Sequence, residues 1–130
     1  MQAALVTVGD ELLAGDTVNT NASWIAEQLT ARGVTVERVT TVADRVDDIA
    51  GVVGEYRDTY DAVLVTGGVG PTHDDVTMDG VAAAFGREMV PNADAKAWIA
   101  ECGDYAVADL TEGTTHLPAG ARMLPNPCLL

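Results

Sequence analysis

The sequence predicts an α/β fold in which helices cover both faces of an open, mostly parallel sheet. Short apolar runs typical of buried strands alternate along the chain with longer helical segments. No internal repeat, low-complexity stretch or linker interrupts this alternation. The 130 residues suffice to bury one core. We therefore expect a single domain over residues 1–130.

The first half of the chain supplies two strands and two helices. Their signals are β-branched runs, helix-capping side chains and apolar stripes at helical spacing. The predicted elements are a strand at residues 3–8, a helix from Thr20 or Asn21 to about Arg32, a half-exposed strand at residues 34–42 and a helix at residues 46–56. Gly51 and Gly54 weaken the second helix.

The second half continues the same alternation. The predicted elements are a buried strand at residues 61–65, a glycine-rich loop, a helix at residues 76–85, a helix capped by Asn92 and closed by Gly103, and a short strand at residues 121–124. Because the carboxyl ends of parallel strands meet at one edge of the sheet, ligands of such folds bind there.

The glycine-rich loop, residues 66–77, has the sequence TGGVGPTHDDVT and is the most informative segment. Its three glycines permit a sharp turn, and the following helix adds unpaired N–H groups, so the loop suits an anion such as a phosphate. The loop lacks the Gly-Lys-Ser/Thr of a P-loop. A tight turn without a ligand is the alternative. The candidate ligand-binding residues of the loop are Thr66, Gly67, Gly68, Gly70, Pro71, Thr72 and Thr77.

Two carboxylates, Asp74 and Asp75, end this loop, and no Lys or Arg lies between Thr59 and Gly86. Carboxylates beside a phosphate repel it unless a cation lies between them. Since Mg²⁺ commonly bridges carboxylates and substrate phosphates, we expect a divalent metal. The alternative is that these residues only cap the next helix. We expect one to cap the helix and the other to face the ligand.

Further polar residues fall at the same edge of the predicted sheet. Gly9, Asp10 and Glu11 follow the first strand, Asp44 follows the second, and Asn21 opens the first helix. Several carboxylates at one edge can coordinate a metal or perturb one another's pKa. Each residue taken alone also has a simpler interpretation as a helix cap or first-turn residue.

Charge restricts the classes of partner. The net charge is −13 and the sole lysine is Lys96, which argues against nucleic acid and anionic membranes as partners. No apolar run approaches the roughly 20 residues that span a bilayer. The first residues lack the basic region of a signal peptide, and Cys102 and Cys128 fit no metal spacing. We expect a cytoplasmic protein, and the acidity suggests a salt-adapted cytoplasm.

Four segments together carry a resemblance to a known family. They are residues 8–15 (VGDELLAG), 19–22 (NTNA), 41–44 (TVAD) and the loop at 66–77. In this order they resemble the CinA branch (competence/damage-inducible protein A) of the molybdopterin-binding MoaB/MogA-like domain family. Residues 117–121 and 124–127 also resemble that branch, so the resemblance covers most of the chain.

The resemblance implies a three-layer α/β/α sandwich that assembles as a homo-oligomer, a trimer or a dimer. Family members bind molybdopterin, and relatives adenylylate it or assist molybdate insertion. By motif position, the two aspartates tied to catalysis in those relatives are Asp44 and Asp75. Members of the CinA branch are associated with metal-dependent hydrolysis of ADP-ribose and often carry an amidase domain, which this sequence lacks.

The sequence also departs from the family pattern. Asn126 and Pro127 run directly into the final three residues, whereas the family continues with a loop and another apolar strand. We therefore expect the domain to lack its C-terminal part. Val69 and His73 replace a Thr and an Arg of MogA-like relatives, which weakens molybdopterin chemistry more than nucleotide binding.

Two functional classes follow from these observations. The first is an enzyme that cleaves or transfers at a phosphoanhydride, with Asp44, Asp74 and Asp75 as catalytic residues and Asp10, Glu11, Asp44 and Asp75 as metal ligands. Its small-molecule ligand is a nucleotide or a pterin phosphate. The second is a non-catalytic molybdopterin-binding module, and molybdopterin adenylylation is a further alternative.

Overall fold

The computed structural model describes residues 1–70, 72–102 and 115–124. Strands and helices alternate through most of this region, as the sequence predicts. The elements are β1 (Gln2–Val8), α1 (Asp10–Leu13), α2 (Thr20–Ala31), β2 (Thr35–Val42), α3 (Val46–Thr59), β3 (Ala62–Thr66), α4 (Thr77–Ala84), β4 (Met89–Pro91), α5 (Ala93–Cys102) and β5 (His116–Pro118). The predictions at Pro71, Gly103, Asn126, Pro127 and Cys128 lie outside the described residues.

The main sheet has three strands in the order β2-β1-β3, and both pairings are parallel. In the central strand, every residue after Gln2 is buried. Burial on both faces of a strand is typical of parallel sheets covered by helices on each side. The carboxyl ends of the three strands lie together at one edge, which is where the candidate residues fall.

Helices lie on both faces of the sheet. On one face, Val6 and Val8 pack against Ile49 and Val53 of α3. Because alternate residues of a strand point to opposite faces, Thr7 faces the other side, where its hydroxyl accepts a hydrogen bond from Asn19, just before α2. The predicted three-layer α/β/α sandwich with a mostly parallel sheet is confirmed.

The cap of α2 differs from the prediction. Asn19, rather than Thr20 or Asn21, is the N-cap, and its side-chain oxygen accepts a hydrogen bond from the Ala22 N–H. Asn19, Thr20 and Asn21 are all residue types that cap helices. Asn19 is selected because its side chain also donates a hydrogen bond to Thr7. The predicted cap at Asn92 is confirmed by its bond from the Ala95 N–H.

The last predicted strand is wrong. Residues 121–124 form no strand, and β5 lies earlier in the chain, where it pairs antiparallel with β4. Strands of three residues are too short to show periodicity, and their pairing links distant segments.

Within the described residues, no helix is long and apolar enough to cross a membrane.

Candidate functional site

Asp10 and Asp44 join the ends of β1 and β2 through a reciprocal pair of hydrogen bonds. The Asp10 N–H donates to Asp44 Oδ2 at 3.0 Å, and the Asp44 N–H donates to Asp10 Oδ1 at 3.1 Å. Asp44 does not begin α3, whose N-cap is Arg45. Each carboxylate keeps one oxygen that bonds to no described residue. These two oxygens are available to a ligand.

A cavity of about 470 Å³ lies beside this pair. Five carboxylates and the loop backbone surround it, and no cationic side chain is among its described lining residues. The lining consists of Val8, Asp10, Glu11, Asp44, Gly68, Asp74 and Asp75. The structure therefore brings together all five carboxylates predicted for the site from the sequence, and we call this space the acidic cavity.

The glycine-rich loop is held closely against the end of β1. Gly67 and Gly68 have φ of +87° and +62°, in the left-handed region. A Cβ at Gly67 would overlap the carbonyl oxygen of Val8. The Thr77 hydroxyl donates to the Gly67 carbonyl at 2.7 Å, and the Thr77 N–H donates to the Gly68 carbonyl at 3.2 Å. Thr77 is buried, so it holds the loop in place.

Asp75 directs its carboxylate back into its own loop. Its Oδ2 accepts hydrogen bonds from the Thr72 N–H at 3.1 Å and from the Thr72 hydroxyl at 2.7 Å. The same oxygen lies 2.8 Å from the position that a Cβ on Gly70 would take. A phosphate that used the Thr72 N–H and hydroxyl would therefore compete with the Asp75 carboxylate.

The expectation that Asp74 or Asp75 caps α4 is wrong. The helix begins at Thr77, its N-cap is Val76, and no side chain makes a capping hydrogen bond. The Asp75 carboxylate bonds to Thr72, which precedes it, whereas a cap must accept from N–H groups that follow. Asp74 is exposed and lines the acidic cavity. Neither carboxylate is thus used by the helix, and one oxygen of Asp75 is engaged with Thr72.

The hydrogen bond from the Thr72 hydroxyl lowers the pKa of Asp75 from its ordinary value. Partial burial acts in the opposite direction, and the backbone N–H groups of Thr72 and Gly70 add to the lowering. These donors stabilise the ionised carboxylate. Asp75 is therefore a carboxylate at neutral pH and enters any chemistry as a base, a metal ligand or an acceptor.

We expect Thr72→Val to raise the pKa of Asp75, because it removes the donor with the largest effect. Since the folded-state pKa is lowered, Asp75 stabilises the fold above its unfolded-state pKa, and this stabilisation disappears as pH falls through the folded-state value. In Thr72→Val it should disappear at higher pH. Carboxyl NMR titration of Asp75 measures the change, and an unchanged titration midpoint would contradict the assignment.

Other predicted ligand residues lie around a second, smaller cavity. This cavity, of about 150 Å³, is lined partly by Thr66, Gly67 and Asn21. Asn21 is the second residue of α2 and is exposed. Gly9 is fixed by donating its N–H to the Val42 carbonyl at 3.0 Å, and the Glu11 carboxylate lies over it. Most of the described candidate residues thus line one of two adjoining cavities, whereas Gly9, Gly70, Thr72 and Thr77 are not among the lining residues of either.

The sequence pattern did not predict a partly buried polar network that reaches the second cavity at Asn19. The Thr7 hydroxyl contacts the Thr41 hydroxyl at 2.8 Å and accepts from Asn19 Nδ2 at 2.9 Å. Asn19 in turn caps α2. The network therefore fixes the start of α2 relative to β1 and β2. A threonine within the otherwise apolar run of β1 was the available signal.

The described residues of the acidic cavity do not form a metal site by themselves. Among the residues described, no three His, Cys, Asp or Glu side chains are placed to hold a metal on their own. Mg²⁺ usually takes only one or two carboxylates from the protein, with waters and substrate phosphates completing its shell. The unpaired oxygens of Asp10 and Asp44 are the atoms that could act as such ligands if a metal and a phosphate bound together.

Comparison with known proteins places the chain in a family. Residues 4–117 match the family model described as "Probable molybdopterin binding domain". An Aeropyrum pernix protein is 45% identical over 129 residues, which cover 97% of this chain and 48% of that protein. A CinA-like protein of Citrifermentans bemidjiense is 40% identical over 130 residues, covering 98% of this chain and 31% of its own length. The chain thus spans half or less of these two relatives.

A solved structure shows the same fold. The crystal structure of the protein CinA of Thermoplasma acidophilum, whose function is described as unknown, has a TM-score of 0.88 and 38% sequence identity. The match covers 97% of this chain and 75% of that one. The family model covers the acidic cavity, the glycine-rich loop and the second cavity. The chain therefore belongs to the molybdopterin-binding MoaB/MogA-like domain family, as a CinA-type member.

Proposed function

We propose that this domain binds a nucleotide diphosphate such as ADP-ribose and hydrolyses its phosphoanhydride bond in a metal-dependent reaction. The observation that supports this most is the acidic cavity, where five carboxylates adjoin the glycine-rich loop. A site built only to hold an anion gains nothing from carboxylates, because they repel it. Carboxylates that share a metal with the substrate remove this conflict.

Each element of the site has a part in this reaction. The loop positions the phosphates against Gly68, and Thr77 holds the loop through the hydrogen bond from its hydroxyl to the Gly67 carbonyl. Asp44 is held by the Asp10 N–H, so its free oxygen has the fixed direction that a metal ligand needs. Asp75 remains ionised, and its second oxygen can orient and deprotonate the attacking water.

The metal would be held by Asp10 and Asp44, with Glu11, Asp74 or Asp75 adding a ligand as substrate binds. When bound, it supplies positive charge that offsets the phosphates and polarises them towards attack. The neighbouring carboxylates hold this charge in the cavity. Without it, the same carboxylates exclude the substrate.

The second candidate is a non-catalytic molybdopterin-binding module, and molybdopterin adenylylation is its catalytic variant. The description of the matching family, "Probable molybdopterin binding domain", favours this candidate. A pterin phosphate would use the same loop. The two candidates differ in turnover, since a pure binding module releases no product.

Further features belong to this proposal. We propose a cytoplasmic homo-oligomer, a trimer or a dimer, that acts on a small molecule and not on nucleic acid. The net charge of −13 supports the exclusion of nucleic acid, because polyanion binding depends on Lys and Arg. Sedimentation velocity would measure the oligomeric state.

AMP release from ADP-ribose tests the proposed function. We expect AMP to form with Mg²⁺ and not after chelation. Asp75→Asn should lower the turnover rate by about 10²-fold or more. It should leave the binding of ADP-ribose largely unchanged, because the amide oxygen of Asn can still accept the hydrogen bonds from Thr72. Calorimetry with ADP-ribose and with molybdopterin measures binding separately.

Asp79→Asn is the matched control. Asp79 lies in the first turn of α4, is exposed, and is not among the residues of the acidic cavity. This variant makes the same change of charge close to the loop and should keep wild-type turnover. Tight molybdopterin binding without AMP release would favour the binding module instead.

A further inference from the structure

The second cavity adjoins the acidic cavity. Val8 and Glu11 contribute to both walls, and the successive glycines Gly67 and Gly68 line one cavity each. A ligand whose phosphates lie against Gly68 therefore has its next group within reach of Gly67. The second cavity, at about 150 Å³, has room for one small ring.

Four side chains around the second cavity have unused hydrogen-bonding capacity. They belong to Thr17, Thr20, Asn21 and Thr66, and none of them bonds to another described residue through its side chain. Other threonines of the site are engaged, since Thr7 and Thr77 bond to Thr41 and Gly67. Hydroxyls that face the cavity are thus free, whereas those that support the loop and the sheet are satisfied.

The charge of this lining limits the ligand. Glu11 is its single charged residue among those described, and no cation is present, so a second phosphate is disfavoured. A carboxylate suits sugar hydroxyls, as the acidic residue that binds the ribose of dinucleotides illustrates. The described lining also contains no aromatic side chain on which a base or a pterin would stack.

We infer that the second cavity binds the uncharged, hydroxyl-bearing ring, a pentose, that is attached to the phosphate in the acidic cavity. The inference rests on the proposed function and assigns a specificity role to Asn21 and Thr66. Asn21 offers both a donor and an acceptor to vicinal hydroxyls. Thr66 is the last residue of β3 and directly precedes Gly67, so it adds a hydroxyl next to the glycine that lines the second cavity.

The test compares two ligands that share a methylene-bridged diphosphate, and only one of them carries pentoses. Calorimetry with Mg²⁺ uses methylenediphosphonate and the methylene analogue of ADP-ribose, neither of which can be hydrolysed at the bridge. Asn21→Ala and Thr66→Val should each raise the Kd of the ADP-ribose analogue roughly 3- to 10-fold, the effect of one lost hydrogen bond. The Kd of methylenediphosphonate should stay unchanged.

Both variants are conservative. Asn21 is exposed, and Thr66→Val keeps the β-branched shape that suits a strand. Thr30→Ala, an exposed polar change at the other end of α2, is the control and should alter neither Kd. Circular dichroism verifies that each variant folds.

The outcomes separate this inference from the proposed function. Equal losses for both ligands, or no loss for either, would overturn the pentose assignment while leaving metal-dependent phosphate binding in place. If the wild type bound neither ligand with Mg²⁺, the proposed function would fail, and the pentose assignment with it.

Discussion

Gly67→Ala should lower the free energy of unfolding by roughly 3 kcal/mol and the Tm by roughly 10 °C. Two effects add at this position. The φ of +87° costs an L-residue about 1–2 kcal/mol, and the new Cβ would overlap the Val8 carbonyl oxygen. Backbone cannot move aside as a flexible side chain can, so the loop itself must shift. Thermal and urea unfolding measure the loss.

Two further glycines separate these effects. Gly86 has a φ of +63° with nothing within 4 Å of the added Cβ, so Gly86→Ala should cost only the conformational part, about 1 kcal/mol. Gly51 lies within α3 with open space around it, and Gly51→Ala should stabilise by about 0.5–1 kcal/mol. If Gly67→Ala cost no more than Gly86→Ala, the close approach of the loop to β1 would be refuted.

The same contact explains why the loop belongs to the site. Because Gly67 lies against Val8, the chain leaves β3 directly beside the end of β1 and brings Gly68 next to Asp44. A shifted loop would separate Gly68 from the acidic cavity. Gly67→Ala should therefore weaken ligand binding at temperatures where the variant is still folded.

Features marked by neighbouring residues could be predicted from the sequence, whereas those that depend on contacts between distant segments could not. The strands of the main sheet and their helices were predictable because each carries its own run of apolar or capping residues. Convergence of Asp10, Asp44 and Asp75 followed from topology, since parallel strands end at one edge. The pairing of β4 with β5 joins two three-residue segments far apart in sequence, which no local pattern reveals.

Side-chain direction within the site was not predictable in the same way. Asn19, Thr20 and Asn21 are all competent caps, and a contact across the fold with Thr7 selects the first. Likewise the carboxylate of Asp75 turns back towards Thr72, three residues earlier, and accepts hydrogen bonds from its N–H and its hydroxyl. Spacing indicates which residues meet, whereas their hydrogen bonds depend on backbone angles that only the folded loop defines.

Asp44→Asn should reduce AMP release by about 10²-fold or more and leave the fold intact. In this variant the amide oxygen of Asn can accept the hydrogen bond from the Asp10 N–H, so the link between β1 and β2 survives. The amide nitrogen then replaces the oxygen that is free to act on water or metal. Turnover, and the Mg²⁺ concentration needed for half of it, measure the effect.

Asp44→Ala distinguishes chemistry from architecture at this position. It removes the free oxygen and the bonded one together, so it should lose turnover as Asp44→Asn does and also lose about 1 kcal/mol of stability. If Asp44 acted only by joining the strands, Asp44→Asn would keep turnover and only Asp44→Ala would lose it. If both variants lost turnover equally but only Asp44→Ala lost stability, the free oxygen would take part in the reaction. Stability would then depend on the hydrogen bond, and turnover on the negative charge.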